Sequence, residues 1–212
     1  IEMLGSEDIM IKRWAKYIHH DPAYNRHLSF REGGYGVDTR IELNWEQAPN
    51  GRPRILSVPF NSTAVGEYRV RAPLRALEDA SLVEVTFLPN HDYHSDGDIF
   101  IPSAFDIIRI NPDILFLNYT LGDRHYELVC WIKKNTNIFI IFTLDDLLHL
   151  LPKKNSSKKG LYQDMRFRLK RLLALCDRLI VSTQPLADEY SYLCQDVVVA
   201  ANTLDLSRWT NL

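Results

Sequence analysis

Cysteine is scarce in this sequence, with only three among 212 residues. Cys130, Cys176 and Cys194 are widely spaced, and each lies beside apolar residues, as buried thiols commonly do. This pattern argues against a disulfide framework and against a zinc site. The histidine-rich stretch from His19 to His27 lacks cysteine and regular carboxylate spacing. We therefore predict no metal centre and no cofactor.

Long apolar runs and an excess of one charge are missing as well. The longest apolar stretch, 137–144, is much shorter than the ~20 residues that a membrane-spanning helix needs. The 25 basic and 27 acidic residues nearly cancel, and no array of basic and aromatic residues indicates nucleic-acid binding. A cytoplasmic protein is expected, and a chain that begins at Ile1 is expected to be a piece of a longer one.

One basic run stands out, formed by lysines on both sides of Asn155-Ser156-Ser157. Its members are Lys153, Lys154, Lys158 and Lys159. The first interpretation is a solvated loop. The second is contact with a phosphate or an anionic membrane surface, which leaves peripheral association with the inner membrane as an alternative.

Several catalytic fingerprints are absent. The chain contains neither Gly-x-Gly-x-x-Gly nor a phosphate loop ending in Gly-Lys-Ser/Thr, so the common dinucleotide and nucleoside-triphosphate motifs are excluded. It also contains no Gly-x-Ser-x-Gly elbow and no His-Glu-x-x-His, which disfavours hydrolase and zinc-protease functions.

Apolar runs alternate regularly with amphipathic segments from about residue 53 to residue 200. Most of the runs are continuous, which is typical of strands buried on both faces. Strands are predicted at 55–59, 83–88, 114–118, 138–143, 178–182 and 197–200. Helices are predicted at 66–80, 102–110, 123–134, 160–175 and 185–193. The fold class is therefore α/β, with a doubly wound, Rossmann-like parallel sheet over 53–200.

The flanking segments do not share this rhythm. Residues 1–52 begin with a short predicted helix that carries Ile9, Trp14 and Tyr17, and continue as a turn-rich, aromatic-rich stretch. We predict an irregular N-terminal arm that packs its aromatic residues against the next domain. Residues 201–212 follow the last predicted strand.

The predicted site lies on the loops after the strands, because ligands of parallel sheets bind at the carboxyl ends of the strands. A loop of small residues, Asn61 to Gly66, is predicted after the first strand, and Tyr68 and Arg69 follow it on the first turn of the predicted helix. Backbone N–H groups and a guanidinium there are suited to a phosphate or carboxylate. The competing interpretation is that Gly66 only permits a turn and Arg69 pairs with a surface acid.

Later strand ends add polar residues. Asn118 ends the third predicted strand, and its amide both donates and accepts, as contact with a sugar hydroxyl requires. Asp145 and Asp146 follow the fourth, where burial raises a carboxyl pKa and prepares the group to accept a proton. We predict this pair as catalytic, with Asp145 alternatively an N-cap. Thr183 follows the fifth strand, where helix capping competes with ligand contact.

The order of these segments over 55–209 resembles the amino-terminal half of GT-B glycosyltransferases, retaining enzymes that use nucleotide-sugars and have two facing Rossmann domains. The resemblance is carried by Gly66-Glu67-Tyr68-Arg69 with Pro73 and Leu77, Phe105-Asp106-Ile107-Ile108, Thr143-Leu144-Asp145-Asp146-Leu147-Leu148, the stretch 176–187 and Val199-Ala200-Ala201-Asn202-Thr203-Leu204-Asp205. The last is similar to the family's interdomain hinge. Residues 21–29 resemble the tail of a preceding module in large bacterial polysaccharide-synthesis proteins.

The resemblance implies an acceptor-side domain that binds a glycan or a lipid-linked acceptor in O-antigen or capsule synthesis. It implies that the nucleotide-sugar is held mainly by a second domain that this sequence lacks, with Gly66 near the donor phosphates. Asp145 and Asp146 occupy the strand end where the family's acceptor-side polar groups, often a histidine, are found. The sequence departs from the family there, since the nearest histidine is His149.

Two other function classes stay open at this stage. The first is a Rossmann-like binding or scaffolding module without catalysis. The second is a phosphorylated receiver domain, which paired acids after a strand suggest. A receiver needs a lysine at a later strand end, and Ser182 and Thr183 stand there instead.

Overall fold

The computed structural model describes residues 51–58, 64–88, 102–150 and 164–203, together with single residues and short pieces before position 38. Six strands form one sheet: β1 (Arg54–Val58), β2 (Glu84–Phe87), β3 (Ile114–Asn118), β4 (Phe139–Leu144), β5 (Arg178–Val181) and β6 (Val197–Val199). The helices are α1 (Ala64–Gly66, Glu67–Arg71 and Ala72–Asp79 in succession), α2 (Ala104–Ile110), α3 (Asp123–Asn135), α4 (Met165–Leu173) and α5 (Gln184–Tyr190). A 3₁₀ turn, Leu148–Leu150, follows β4.

All neighbouring strands of the sheet are parallel, in the order β2-β1-β3-β4-β5-β6. The predicted α/β class with a doubly wound, Rossmann-like sheet is therefore confirmed. The chain passes from β1 to β2 at one edge of the sheet and then returns past β1 to β3. From β3 it continues strand by strand to β6 at the opposite edge. Right-handed crossovers then place α1 on one face and the later helices on the other.

The two faces of the sheet carry separate apolar clusters. Val70 and Leu74 of α1 pack with Ile55, Phe116 and Ile141 on one face. The larger cluster lies on the other face, where residues of α2, α3, α4 and α5 cover Leu56, Val58, Leu115, Leu117, Ile140, Phe142, Leu144, Leu179 and Val181. Strand residues alternate between the two clusters, as the period of two in a strand requires.

A π-helical segment, Glu67–Arg71, interrupts α1. The N–H of Ala72 bonds to the carbonyl oxygen of Glu67, five residues earlier. Arg69, Val70 and Arg71 are all buried, whereas a regular α-helix rotates about 100° per residue and would turn one of three neighbours outward. The π turn therefore directs Arg69 inward, and such turns occur frequently at functional sites.

The structure corrects the prediction of a small-residue loop closed by Gly66. The helix already begins at Ala64, and Gly66 is buried within it at φ −62°. Since this is an ordinary helical conformation, Gly66 is not needed there for a turn. Residues 59–63, which include the rest of the predicted loop, lie outside the described residues.

The N-terminal arm is described only in part. Ser6, Ile9, Trp14 and Tyr17 are helical, as predicted. The rings of Trp14 and Tyr17 lie 5.6 Å apart, and their side chains are 50% and 56% exposed, so these two aromatics are not packed into a core. His19, His20 and His27 lie outside the described residues.

Candidate functional site

The carboxyl ends of β1 and β3 flank the point where the strand order reverses. In open α/β sheets ligands bind in the crevice at such a switch point. Ser57 near the end of β1, Asn118 at the end of β3, and Thr120 after it are all at least 93% buried, since their exposures are 0%, 0% and 7%. The switch point therefore carries three buried polar side chains.

These three side chains have unused hydrogen-bonding capacity. The hydroxyl oxygens of Ser57 and Thr120 and the amide oxygen of Asn118 have no hydrogen-bond partner among the described residues. The amide nitrogen of Asn118 donates to the carbonyl oxygen of Thr143 at 3.2 Å, which fixes its orientation. An unsatisfied buried polar group costs about 1–3 kcal/mol. These atoms are closed to solvent, so a ligand reaches them only if the surrounding chain moves.

Tyr119, between Asn118 and Thr120, links the ends of β3 and β4. Its hydroxyl donates a hydrogen bond to the Oδ1 of Asp145, and the backbone N–H of Asp145 donates to the same hydroxyl at 3.4 Å. Burial and the neighbouring Asp145 raise the pKa of Tyr119 far above its usual range, so the hydroxyl stays protonated. The backbone of Tyr119 has φ +54°, a conformation that is uncommon for residues other than glycine and that clusters at functional sites.

Asp145 and Asp146 do lie at the mouth of β4, but their surroundings differ. Asp145 is half-buried and accepts the Tyr119 hydrogen bond, whereas Asp146 is exposed. Partial desolvation raises the pKa of Asp146, and the negative charge of Asp145 raises it further. Asp146 is thus the accessible carboxylate of the pair, and its raised pKa suits a proton acceptor.

Arg69 reaches from α1 across the ends of β4 and β6. Its Nη1 donates to the carbonyl oxygen of Ala200 at 2.7 Å and to Oδ1 of Asn202 at 2.9 Å, and its Nη2 donates to Oγ1 of Thr143 at 3.1 Å. Burial lowers the pKa of Arg69, and the nearby Asp145 opposes this shift. Its buried Nε has no partner among the described residues. Most of the guanidinium therefore holds the chain after β6 in place.

The other predicted residues lie around this centre. Gly66 is buried inside α1, and Tyr68, on the π-helical segment, is 42% exposed. Thr183 occupies the N-cap position of α5 and is exposed, but its side chain makes no capping hydrogen bond. Sequence reasoning missed Ser57, Tyr119 and Thr120 as site residues, because their role depends on burial and on a left-handed backbone.

No protein-family model matches the chain, and a search of curated proteins finds no relative. Its family is therefore not established by comparison. The site has to be interpreted from its own geometry.

His149 lies one turn beyond the aspartates and is held by α5. Its Nδ1 is 3.3 Å from the hydroxyl of Tyr190, and its Nε2 is 3.3 Å from Oε1 of Glu189. Burial raises the pKa of Tyr190 to about 12, so this hydroxyl is neutral. Because both ring nitrogens of His149 face protein groups, the histidine positions the turn after β4 against α5.

A cavity of about 500 Å³ lies at the opposite edge of the sheet, between the α4–β5 and α5–β6 connections. Its polar lining includes Lys133 and Asp177, which form an ion pair. Burial raises the pKa of the lining Cys176 far above its usual range, so its thiol is unreactive. This edge holds the amino ends of the strands, and among the described residues it lacks the cluster of unpartnered polar atoms found at the switch point.

Among the residues that the structure describes, no group of three or more histidine, cysteine, aspartate or glutamate side chains could bind a metal ion. Within the same residues, every helix is too short or too polar to cross a membrane.

Proposed function

We propose that this chain is the acceptor-side domain of a glycosyltransferase, which transfers a sugar from a nucleotide-sugar to a glycan or a lipid-linked acceptor in bacterial surface polysaccharide synthesis. The observation that carries the proposal is the polar cluster at the carboxyl ends of β1, β3 and β4, where the exposed Asp146 accompanies the buried oxygens of Ser57, Asn118 and Thr120, which have no partner among the described residues. Neutral oxygens of this kind suit the hydroxyl groups of a sugar better than they suit a phosphate. The resemblance to GT-B enzymes points in the same direction.

The aspartates complete the proposed acceptor site. Asp146 is exposed beside this crevice with a raised pKa, which suits a group that takes a proton from an acceptor hydroxyl. Tyr119 and Asp145 hold each other through their hydrogen bonds and keep the strand end in a fixed geometry. In this proposal Arg69 positions the segment after β6, and the donor diphosphate is bound mainly by a second domain.

The test is sugar transfer by the full-length gene product, with a panel of radiolabelled nucleotide-sugars and lipid-linked or glycan acceptors. We expect Asp146→Asn to lower kcat by about a hundredfold or more, because general acid–base groups contribute about 10²–10⁴-fold. Asp188→Asn is the matched control, since Asp188 is an exposed aspartate on α5 whose side chain contacts Gln184.

Transfer that is unaffected by Asp146→Asn would remove the catalytic role of the pair. Absence of transfer from every nucleotide-sugar, together with saturable binding of a protein partner, would instead favour a scaffolding module.

A further inference from the structure

Helix α4 has an unusual solvent face. Its buried stripe consists of Met165, Leu169, Leu172 and Leu173. At 100° per residue Phe167 lies opposite this stripe, and its side chain is 60% exposed. Amphipathic surface helices place polar residues there, so a large aromatic side chain at the centre of the exposed face requires an explanation.

Cationic residues surround Phe167 on this face. They are Arg166, Arg168, Lys170 and Arg171, and the helix itself contains no acidic residue. Arg168 and Arg171 pair with Asp123 of α3, and Arg168 also pairs with Asp164 before the helix. Among the described residues, Asp123, Asp164 and Glu189 oppose three of these four positive charges, and the face keeps a net positive charge.

Further exposed apolar side chains extend the surface. Arg166 contacts the hydroxyl of Tyr192 at 3.5 Å, and the Tyr192 side chain is 61% exposed. The guanidinium of Arg171 lies 5.6 Å from the ring centre of Phe167. Leu150, at the end of the 3₁₀ turn after β4, is also 61% exposed. We call Leu150, Phe167, Tyr192 and the four cationic residues of α4 the α4 surface.

The charge of the whole sequence is divided unequally. Residues 151–173 contain eight basic residues and one acidic residue, which gives +7, while the other 17 basic and 26 acidic residues give −9. The segment that contains α4 is therefore basic within an otherwise acidic sequence, and such a charge asymmetry favours attraction to an anionic surface.

We propose that the α4 surface docks on an anionic phospholipid membrane, with Phe167 inserted among the headgroups. Basic residues with exposed aromatic and leucine side chains are characteristic of helices that lie in the membrane interface. Arginine and lysine can keep their charges at the phosphates while their aliphatic stems lie along apolar surface. A nucleic acid would use the charges but not the exposed Leu150.

The orientation of α4 connects this surface to the candidate site. As the crossover between the parallel strands β4 and β5, α4 runs antiparallel to them, so its first turns lie at the carboxyl edge of the sheet. Consistent with this, Nη1 of Arg168 donates to the carbonyl oxygen of Leu121 at 3.2 Å, next to Thr120. The first turn of α4 thus contacts the chain that follows β3, while Tyr192 lies toward the other edge, among the residues that line the cavity. The docking itself does not depend on the proposed transferase activity.

The experiment is co-sedimentation of the whole chain with vesicles of phosphatidylcholine, with and without phosphatidylglycerol. We expect binding only to the anionic vesicles, and weaker binding as salt is raised. Phe167→Ala should reduce the partition coefficient about tenfold, as expected for loss of a largely buried aromatic ring. Lys170→Gln should reduce it about fivefold, as expected for one charge near an anionic surface.

The controls distinguish docking through the α4 surface from general electrostatic or hydrophobic adsorption. Arg75→Gln removes a charge from α1 on the opposite face of the sheet, and Leu82→Ala removes an exposed apolar side chain far along the chain from α4. Both should bind vesicles like the parent, and circular dichroism should show that all variants are folded.

Equal binding by the Phe167→Ala and parent proteins would overturn the proposal. Retention by polyglutamate or RNA without vesicle binding would overturn it too, and would point to an acidic protein or a nucleic acid.

Discussion

At the scale of single residues, Arg69 connects α1 to the ends of two strands. It donates three hydrogen bonds, to Thr143 at the end of β4 and to Ala200 and Asn202 after β6. We expect Arg69→Met to lower the free energy of unfolding by about 2–4 kcal/mol, because it leaves the buried Thr143 hydroxyl without its donor and removes two part-buried hydrogen bonds after β6. The stability of Arg69→Lys should lie between those of the parent and the methionine variant, since an ammonium group cannot replace the planar guanidinium. Urea denaturation measures both variants, and a methionine variant as stable as the parent would contradict this account.

The burial of His125 predicts that the stability of the fold depends on pH. It is 8% exposed on α3, and burial lowers its pKa to about 4 from 6.5. The unfolded chain therefore binds a proton between these values while the folded chain does not, so stability is complete above pH 6.5 and falls as the pH drops toward 4. The full loss amounts to about 3 kcal/mol.

His125→Gln isolates this contribution. Urea denaturation of the variant should show a smaller decrease in the free energy of unfolding over the same pH range, because glutamine does not titrate. If the two proteins lose stability in parallel as the pH falls, His125 is not buried in its neutral form.

Some residues of the candidate site could be predicted from the sequence, and others could not. Asn118 and the aspartate pair were predicted to lie at strand ends, and they do, because polar residues directly after an apolar run mark the end of a buried strand. The contacts of Arg69 could not be predicted, since they join residues 131 and 133 positions away along the chain. The position of Tyr119 depends on a left-handed backbone that its residue type disfavours.

At the scale of elements, the two ends of the sheet use different helix starts. Ser103 and Asp106 form a capping box at α2: Oγ of Ser103 accepts from the N–H of Asp106 at 3.2 Å, and Oδ2 of Asp106 accepts from the N–H of Ser103 at 2.8 Å. We expect Ser103→Ala to lower the free energy of unfolding by about 1 kcal/mol.

Thr183→Ala is the matched control for this substitution. Thr183 holds the same position at α5 without a side-chain hydrogen bond, so its loss should change stability by only a few tenths of a kcal/mol, about the usual effect of surface substitutions. Thermal or urea unfolding of both variants decides the matter. Equal losses would mean that the hydrogen bonds of the capping box contribute nothing specific.

The positions of the strands were largely predictable, because the apolar runs that mark them are local features of the sequence. The third strand was predicted at 114–118 and is observed at Ile114–Asn118, and the other strands differ by one residue at one or both ends. Continuous apolar runs specify buried strands regardless of their neighbours. The π turn of α1 was not predictable, because it is evident only from the backbone hydrogen bond of Ala72 and from the joint burial of Arg69, Val70 and Arg71.

At the scale of the whole molecule, the sheet should unfold from its far edge. β3 and β4 lie in the interior of the strand order, each paired on both sides. β6 is an edge strand of three residues, and Val198 and Val199 are 37% and 41% exposed. Because local stability follows burial and hydrogen bonding, amide hydrogen exchange measured by mass spectrometry should be slowest in β3 and β4 and faster in β6.

The expected difference in amide exchange between β3 and β6 leads to a prediction for Arg69. The N–H of Ala200 bonds to the carbonyl oxygen of Val181 in β5, and the carbonyl oxygen of Ala200 accepts from Arg69. Arg69 is therefore a contact through which α1, on one face of the sheet, restrains the end of β6. In Arg69→Met, peptides that cover residues 197–203 should exchange faster even under conditions where β3 peptides are unchanged. If protection instead falls equally across the sheet, the substitution acts on global stability alone and the end of β6 is held by other contacts.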